Sequence, residues 1–105
     1  MIQKVKQLAL CNSLFFDMKY YNYILISLKD GNYYIGYTRD LNSRLEAHKN
    51  GKVESTKFRR PFKLVYYEVS FNLESSIKRE KYLKITYGHR YLKNRLGTSP
   101  EGIEL

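Results

Sequence analysis

A chain of 105 residues, 43% of them apolar, is long enough for one packed domain and too short for two separate cores. The net charge of +9 is concentrated in two segments: residues 39–63 carry eight Lys or Arg against three acids, and residues 78–95 carry seven against one. Clustered positive charge favours a polyanionic partner, and a basic surface with no partner is the alternative. The one cysteine, Cys11, excludes an internal disulfide and a cysteine-based zinc site, and it fits a cytoplasmic protein.

Residues 1–18 are predicted to form a flexible extension ahead of the domain. Their apolar stretch, residues 8–16, is too short to span a bilayer. It is also not followed by the small-residue cleavage site that a secretory leader requires. We therefore expect no membrane association and a structured domain that begins at residue 19.

A β-hairpin and a helix are predicted for the first half of the domain. Residues 20–28 and 33–38 have the Tyr- and Ile-rich composition of strands, and the Asp-Gly pair in the turn between them is typical of hairpins. Gly36 inside the second strand indicates a close backbone approach. A helix over residues 41–50 follows, with Thr38 or Asp40 as its cap and a glycine as its stop.

The second half is predicted to contain one strand and two helices. After a polar loop at 51–61, residues 62–71 form a strand, and helices follow at 73–85 and 90–96. Glu80 falls in the apolar register of the first of these helices, together with Leu73. The domain, residues 19–97, is therefore predicted to be α+β, with a three-stranded, mainly antiparallel sheet flanked by helices, and residues 98–105 are expected to fray.

Five positions in a fixed order resemble the GIY-YIG nuclease domain, in the short single-domain bacterial form related to the nuclease part of the excinuclease C subunit. Tyr34-Ile35-Gly36 matches the second signature of that family, and Arg44 and His48 follow Tyr34 by ten and fourteen residues. The segment around Glu80 is similar to the one that carries the family's metal-binding glutamate. In the first signature only Tyr23 is kept, because the usual Gly and Ile are absent.

The resemblance implies a metal-dependent endonuclease that hydrolyses DNA, with RNA as the alternative substrate, and that uses one Mg²⁺ or Mn²⁺ ion at a single carboxylate. It also implies a set of catalytic residues: Tyr23, Tyr34, Arg44, His48 and Glu80. The residues alone leave other interpretations open. Glu80 could pair with Lys84, Arg44 with Asp40, and His48 with a backbone group. The sequence does not decide which tyrosine would take a proton.

Several basic side chains in the two charged segments are candidates for contacts with phosphates of a nucleic-acid backbone: Lys57, Arg59, Arg60, Arg79 and Arg90. Phe58 could stack on a base, although anchoring in the core is the preferred interpretation for a loop phenylalanine. A non-catalytic nucleic-acid-binding module is the alternative function, and a basic adaptor for an acidic protein is a third. The joint presence of all five signature residues favours the endonuclease, because a binding module would need only the basic surface.

Overall fold

The computed structural model describes residues 18–98 and 100–105, apart from the side chains at 86 and 87. The extension predicted for residues 1–18 therefore lies outside the described part, except for Met18. The helices are α1 (Leu41–Lys49), α2 (Leu73–Lys84) and α3 (Thr86–Leu96), and the strands are β1 (Tyr20–Ser27), β2 (Tyr33–Thr38), β3 (Phe62–Ser70) and β4 (Ile103–Glu104). Within the described ranges, no helix combines the length and the hydropathy that crossing a bilayer would require.

The sheet is antiparallel with the strand order β2-β1-β3-β4. The predicted α+β class and the antiparallel pairing are confirmed, but the predicted number of three strands was wrong. The fourth strand comes from the stretch 98–105 that was expected to fray, and it pairs Ile103 with Leu64 of β3. Leu105 donates its N–H to the Phe62 carbonyl at 3.0 Å and packs against the core. A strand of two residues has no periodicity to recognise, so only these tertiary contacts reveal it.

Strand β1 is the centre of the domain, and both of its faces are buried. Tyr23 and Leu25 point to the side of the sheet that α1 covers. Ile24 points to the other side, where it packs with Leu83 of α2 and Leu92 of α3. The side chains of β1 are therefore buried between α1 on one side of the sheet and α2 on the other.

Helix α1 begins at a capping aspartate and ends before a glycine. The sequence left two candidates for the cap, and the structure uses Asp40, whose carboxylate accepts a hydrogen bond from Ser43 N–H at 3.1 Å. At the other end, Gly51 has a φ of +73°, in the left-handed region that glycine adopts without strain. The orientation of α1 is therefore held at both ends by local chemistry.

Helix α2 is tied to β1 by a buried polar pair. The Asn22 side-chain amide donates to the Ser76 carbonyl at 2.9 Å, and the Ser76 hydroxyl donates to the Asn22 side-chain oxygen at 3.1 Å. Both residues are buried. The apolar stripe predicted for α2 was wrong at its start, because Leu73 is exposed and Ser76 faces the sheet instead. A satisfied amide–hydroxyl pair replaces the expected apolar contact there.

Helix α3 begins four residues earlier than the sequence indicated. Ile85 has an extended backbone and separates α2 from α3. Gly88 lies in the first turn of α3, where this helix passes very close to the end of α2. A Cβ at position 88 would be 2.1 Å from the Tyr82 carbonyl oxygen, so only glycine permits this approach.

Candidate active site

The hydroxyl group of Tyr23 is the centre of a buried hydrogen-bond cluster. It lies 2.8 Å from Nε2 of His48 and accepts a hydrogen bond from Nε of Arg44 at 3.2 Å. Arg44 and His48 are one turn apart on α1, so both reach the same side of the sheet. Tyr23 and His48 are fully buried. The cluster joins three of the five residues that the sequence singled out.

Gly36 provides the space that the Tyr23 side chain occupies. The two residues are directly opposite each other on β1 and β2. A Cβ at position 36 would be 2.7 Å from the Tyr23 hydroxyl oxygen and 2.8 Å from the ring carbon that carries it. The close approach predicted from Gly36 is therefore the contact between the Tyr23 ring and the backbone of β2. The absence of a side chain at position 36 lets Tyr23 reach Arg44 and His48.

A groove of about 480 Å³ lies along β2, between α1 and α2. Tyr34, Arg44 and Glu80 line it, together with Lys84. The Tyr34 ring meets the ring of His48 edge-on, with 4.9 Å between the centroids. Tyr23 and His48 lie behind this groove and do not line it. The five predicted residues therefore form two layers, with three in the groove and two supporting them.

Glu80 is the carboxylate of the groove, and its side chain is 20% exposed. One of its oxygens is 3.3 Å from the Lys84 ammonium nitrogen, which is the pairing that the residue spacing allowed. The described residues contain no group of three or more His, Cys, Asp or Glu side chains able to hold a metal ion. A single carboxylate in an open groove still suits Mg²⁺, which keeps several waters and takes further oxygens from phosphate. The single carboxylate therefore fits one Mg²⁺ ion that is otherwise coordinated by water and phosphate. It does not fit an ion held by protein ligands alone.

The titration behaviour of the buried layer follows from its burial. Burial raises the pKa of the Tyr23 hydroxyl well above its ordinary value, and the hydrogen bond from Arg44 offsets this only in part. Burial, reinforced by the nearby guanidinium of Arg44, lowers the pKa of His48 to about 4. At neutral pH Tyr23 is therefore a neutral phenol and His48 a neutral imidazole, and Arg44 carries the charge.

The second ring nitrogen of His48 also has a buried partner. Nδ1 is 2.8 Å from the hydroxyl oxygen of Thr56, and that hydroxyl lies 3.4 Å from the Val53 carbonyl. If the Thr56 hydroxyl donates to that carbonyl, it accepts from Nδ1–H, and Nε2 is left to accept from Tyr23. Thr56 was missed from the sequence because it lies in an irregular loop, where spacing does not indicate direction. Lys84 was identified from the sequence only as a pairing partner of Glu80, four residues away on the same helix, and the structure shows that it also lines the groove.

A prediction follows for the dependence of stability on pH. The folded-state pKa of His48, about 4, is below its ordinary value of 6.5, so below pH 6.5 the unfolded chain binds a proton that the folded chain excludes. The free energy of unfolding should therefore fall between pH 6.5 and 4, by about 3 kcal/mol at most. Urea denaturation over that range measures it. The stabilising Arg59–Asp30 pair acts outside this window, because it lowers the pKa of Asp30 from 3.8 to about 2.

The control for this prediction is the other histidine. His48→Gln should be less stable at pH 7 but should lose most of the slope between pH 6.5 and 4, whereas His89→Gln should keep the wild-type slope because His89 is exposed. An unchanged slope in His48→Gln would show that another group is responsible.

Two of the predicted phosphate contacts are held in ion pairs in which the guanidinium binds both oxygens of a carboxylate. Arg59 donates to both carboxylate oxygens of Asp30, at 2.7 and 3.3 Å, and ties the β1–β2 turn to the loop before β3. Arg79 donates to both oxygens of Glu68 on β3. Both guanidinium groups are thus engaged by carboxylates of the chain itself, so they stabilise the fold and are poorly placed for an external phosphate.

The other three predicted phosphate contacts are in different positions. Lys57 and Arg60 line a pocket at the C-terminal end of α1, apart from the groove. Arg90 is exposed on α3 and is not among the residues that line the groove. The basic residues that do line the groove are Arg44 and Lys84.

The match of the chain to a known family defines the class of protein. Residues 19–95 match the family described as the GIY-YIG catalytic domain, and this chain belongs to that family. GIY-YIG is a nuclease family, so membership implies a nucleic-acid substrate. The resemblance inferred from the signature residues is thereby confirmed.

The individual relatives are short bacterial proteins. The chain is 40% identical over 76 residues to a UPF0213 protein of Staphylococcus saprophyticus, an alignment that covers 71% of this chain and 92% of the relative. It is 42% identical over 69 residues to a UPF0213 protein of Streptococcus pneumoniae, covering 65% and 69%. A UPF0213 protein of Bacillus halodurans, solved by solution NMR, is similar with a TM-score of 0.49 at 34% identity, covering 76% of this chain and 87% of that one.

Proposed function

We propose that this chain is a metal-dependent endonuclease that hydrolyses phosphodiester bonds of DNA with a single Mg²⁺ or Mn²⁺ ion. The observation that carries the proposal is the groove in which Tyr34, Arg44 and Glu80 meet. The three side chains come from β2, α1 and α2. They supply a hydroxyl group, a cation and a carboxylate, which can position a water, neutralise charge on the phosphate and hold a metal ion.

Arg44 binds the scissile phosphate in this proposal. Its Nε is held by Tyr23, and its hydrogen bond to that hydroxyl raises its pKa, so the guanidinium stays charged despite partial burial. The planar fork matches two phosphate oxygens and stabilises the negative charge that accumulates as the phosphorus is attacked. Tyr23 and His48 then act as positioning residues that fix the direction of the fork.

Tyr34 is the tyrosine that we place next to the attacking water. It lines the groove, whereas Tyr23 is fully buried and its pKa is raised. Arg44 and Lys84 line the same groove as Tyr34. Tyr34 can therefore contact and orient the attacking water and help to transfer its proton, whereas Tyr23 is shielded behind the groove.

Glu80 would hold the metal ion. When bound there, the ion would neutralise charge on the phosphate and its leaving oxygen. Lys84 is 3.3 Å from the same carboxylate and lines the same groove, so it can move from Glu80 to a phosphate oxygen when substrate enters.

The direct test is cleavage of supercoiled plasmid by the purified protein. We expect nicking with Mg²⁺ or Mn²⁺ and none with EDTA. Tyr34→Phe should reduce the rate by about 100-fold, since positioned proton transfer contributes 10²–10⁴-fold. Tyr67→Phe is the matched control, because Tyr67 is an exposed strand tyrosine away from the groove, and it should cleave like the wild type. Undiminished nicking in EDTA, or in Tyr34→Phe, would contradict the mechanism.

A non-catalytic nucleic-acid-binding module is the second candidate, and the Glu80–Lys84 ion pair favours it. That pair partly satisfies the carboxylate without any metal. In that case the affinity of the protein for DNA would fall steeply with salt, as expected for phosphate contacts. It would not cleave plasmid DNA or any single-stranded, flap or junction substrate. Binding without cleavage of any of these substrates would support the binding module.

A further inference from the structure

A second pocket, of about 430 Å³, lies at the C-terminal end of α1. Its size is within the roughly 300–1,000 Å³ that is usual for ligand sites. Four cationic residues line it, and no Asp or Glu side chain is among the lining residues in the part of the chain that the structure describes. These cations are Lys29, Lys49, Lys57 and Arg60. The pocket is therefore built for an anion, and the nuclease chemistry does not use it.

Phe58 gives this pocket an aromatic side. Its side chain is 75% exposed, so the interpretation that it anchors in the core was wrong. The backbone beside it is fixed, because the Lys29 ammonium group donates to the Phe58 carbonyl at 2.9 Å. The Lys57 ammonium nitrogen lies 4.9 Å from the centre of its ring. An exposed ring on a fixed backbone next to cations is the arrangement on which nucleic-acid bases stack.

Arg60 is the most firmly placed of the four cations. Its Nε donates to the Lys57 carbonyl at 2.9 Å, and its Nη1 donates to the Lys49 carbonyl at 3.2 Å. The guanidinium also lies against Gly51, where a Cβ would come within 2.7 Å of it. These bonds hold the planar fork beside the pocket and use only part of its donor capacity, which leaves N–H groups for a phosphate.

The ion pair of Lys57 does not prevent phosphate binding. Its partner, Glu54, is 3.0 Å away, but that side chain is 88% exposed. Exposed pairs of this kind contribute little and are screened by salt. A phosphate between Lys57 and Arg60 can therefore replace the carboxylate at small cost.

We propose that this pocket binds one unpaired nucleotide, with its base stacked on Phe58 and its phosphate between Lys57 and Arg60. His48 separates the pocket from the groove, since it lines the pocket and is hydrogen-bonded to Tyr23 behind the groove. A strand that occupies both sites therefore passes the end of α1. Resting on the proposed nuclease function, this assigns the substrate class: a nucleic acid with a single-stranded segment beside the bond that is cut.

The test is fluorescence anisotropy in EDTA with labelled short oligothymidylate and a duplex of the same length. Phe58→Ala should weaken binding of the single strand about tenfold, the loss of one stacked base, and binding of the duplex less than twofold. Phe58→Trp should restore binding of the single strand. Phe71→Ala is the control, because Phe71 is also exposed but does not line the pocket.

A second pair of variants tests the phosphate contact. Lys57→Gln should weaken binding of the single strand and reduce its dependence on salt. Lys78→Gln removes a more exposed charge on α2, which also pairs with a glutamate but does not line the pocket, and should weaken binding less. The proposal is overturned if Phe58→Ala binds the single strand like wild type. It is also overturned if a polyglutamate peptide displaces the oligonucleotide equally well from the wild type and from Phe58→Ala, since the pocket would then recognise charge alone.

The outcome separates this proposal from the nuclease mechanism. Binding that depends on Phe58 in a protein that cuts nothing would support the pocket and contradict the nuclease. Cleavage that is lost in Glu80→Gln, together with binding that does not depend on Phe58, would support the nuclease and contradict the pocket.

Discussion

Glu80→Gln should abolish metal-dependent cleavage, with a loss of at least about a thousandfold in rate, while DNA binding in EDTA stays within about twofold of wild type. The amide keeps the size of the carboxylate but removes its charge. An ion held by this one protein side chain would then bind far more weakly. Single-turnover cleavage across a range of Mg²⁺ or Mn²⁺ concentrations measures the loss and shows whether excess metal recovers part of the rate.

The same helix supplies the control for this substitution. Glu74 pairs with Lys78 one turn along α2, as Glu80 pairs with Lys84, but it is exposed and does not line the groove. Glu74→Gln should therefore cleave at the wild-type rate. Equal activity in the two variants would mean that Glu80 is merely a surface partner of Lys84, and the single-metal proposal would fail.

Arg44→Lys should lower the rate of cleavage by about 100-fold, although the positive charge is kept. Lysine offers a point charge where arginine offers a planar fork, and it cannot also hold the Tyr23 hydroxyl in the same geometry. Removing one preorganised donor from a developing negative charge costs about 10²–10³-fold. Cleavage rates under single-turnover conditions, compared with circular dichroism melting curves, separate loss of catalysis from loss of folding.

Arg39→Lys is the matched control for this change. Arg39 is exposed just before α1 and lies over the ring of Tyr20, outside the groove. It should cleave within about twofold of wild type, as surface substitutions usually do. If Arg44→Lys retained the full rate, a general cation would suffice and the specific role of the guanidinium would have to be withdrawn.

In the proposed mechanism, the layered arrangement gives the two tyrosines different roles. Tyr23 is the residue that the first family signature keeps, but it is buried behind the groove, and its hydroxyl is occupied by His48 and Arg44. Tyr34 is half-buried and faces the groove. Tyr23 can hold Arg44 in place through its hydroxyl group without taking part in proton transfer. For this reason, Tyr34 is the better candidate for chemistry.

Patterns with a strong local cause were predicted well from the residues. The Asp30-Gly31 pair marked the hairpin, and the Asp40 cap and the Gly51 stop marked α1. Each of these features depends on backbone preferences that act within a few residues. Strand β4 and the start of α3 could not be predicted this way, because the first depends on pairing with β3 and the second on a close contact between two helices.

The same limit applied to individual side chains. Arg59 and Arg79 looked like contacts for a polyanion, since a run of basic residues does not indicate which members will find a carboxylate. The fold brings Asp30 and Glu68 to them from distant parts of the chain. Thr56 had no distinguishing spacing, yet it lies against the ring of His48.

The linear order of residues alone determined the family, the identity of the five signature positions and the excess of positive charge, because these depend only on residue type and spacing. Tertiary structure decided that Tyr34, Arg44 and Glu80 face a groove while Tyr23 and His48 support them. It also decided that Phe58 lies in solvent beside a cluster of cations. Burial and direction are properties of packing among segments far apart in the chain, so they emerge only when the sheet and its helices are assembled.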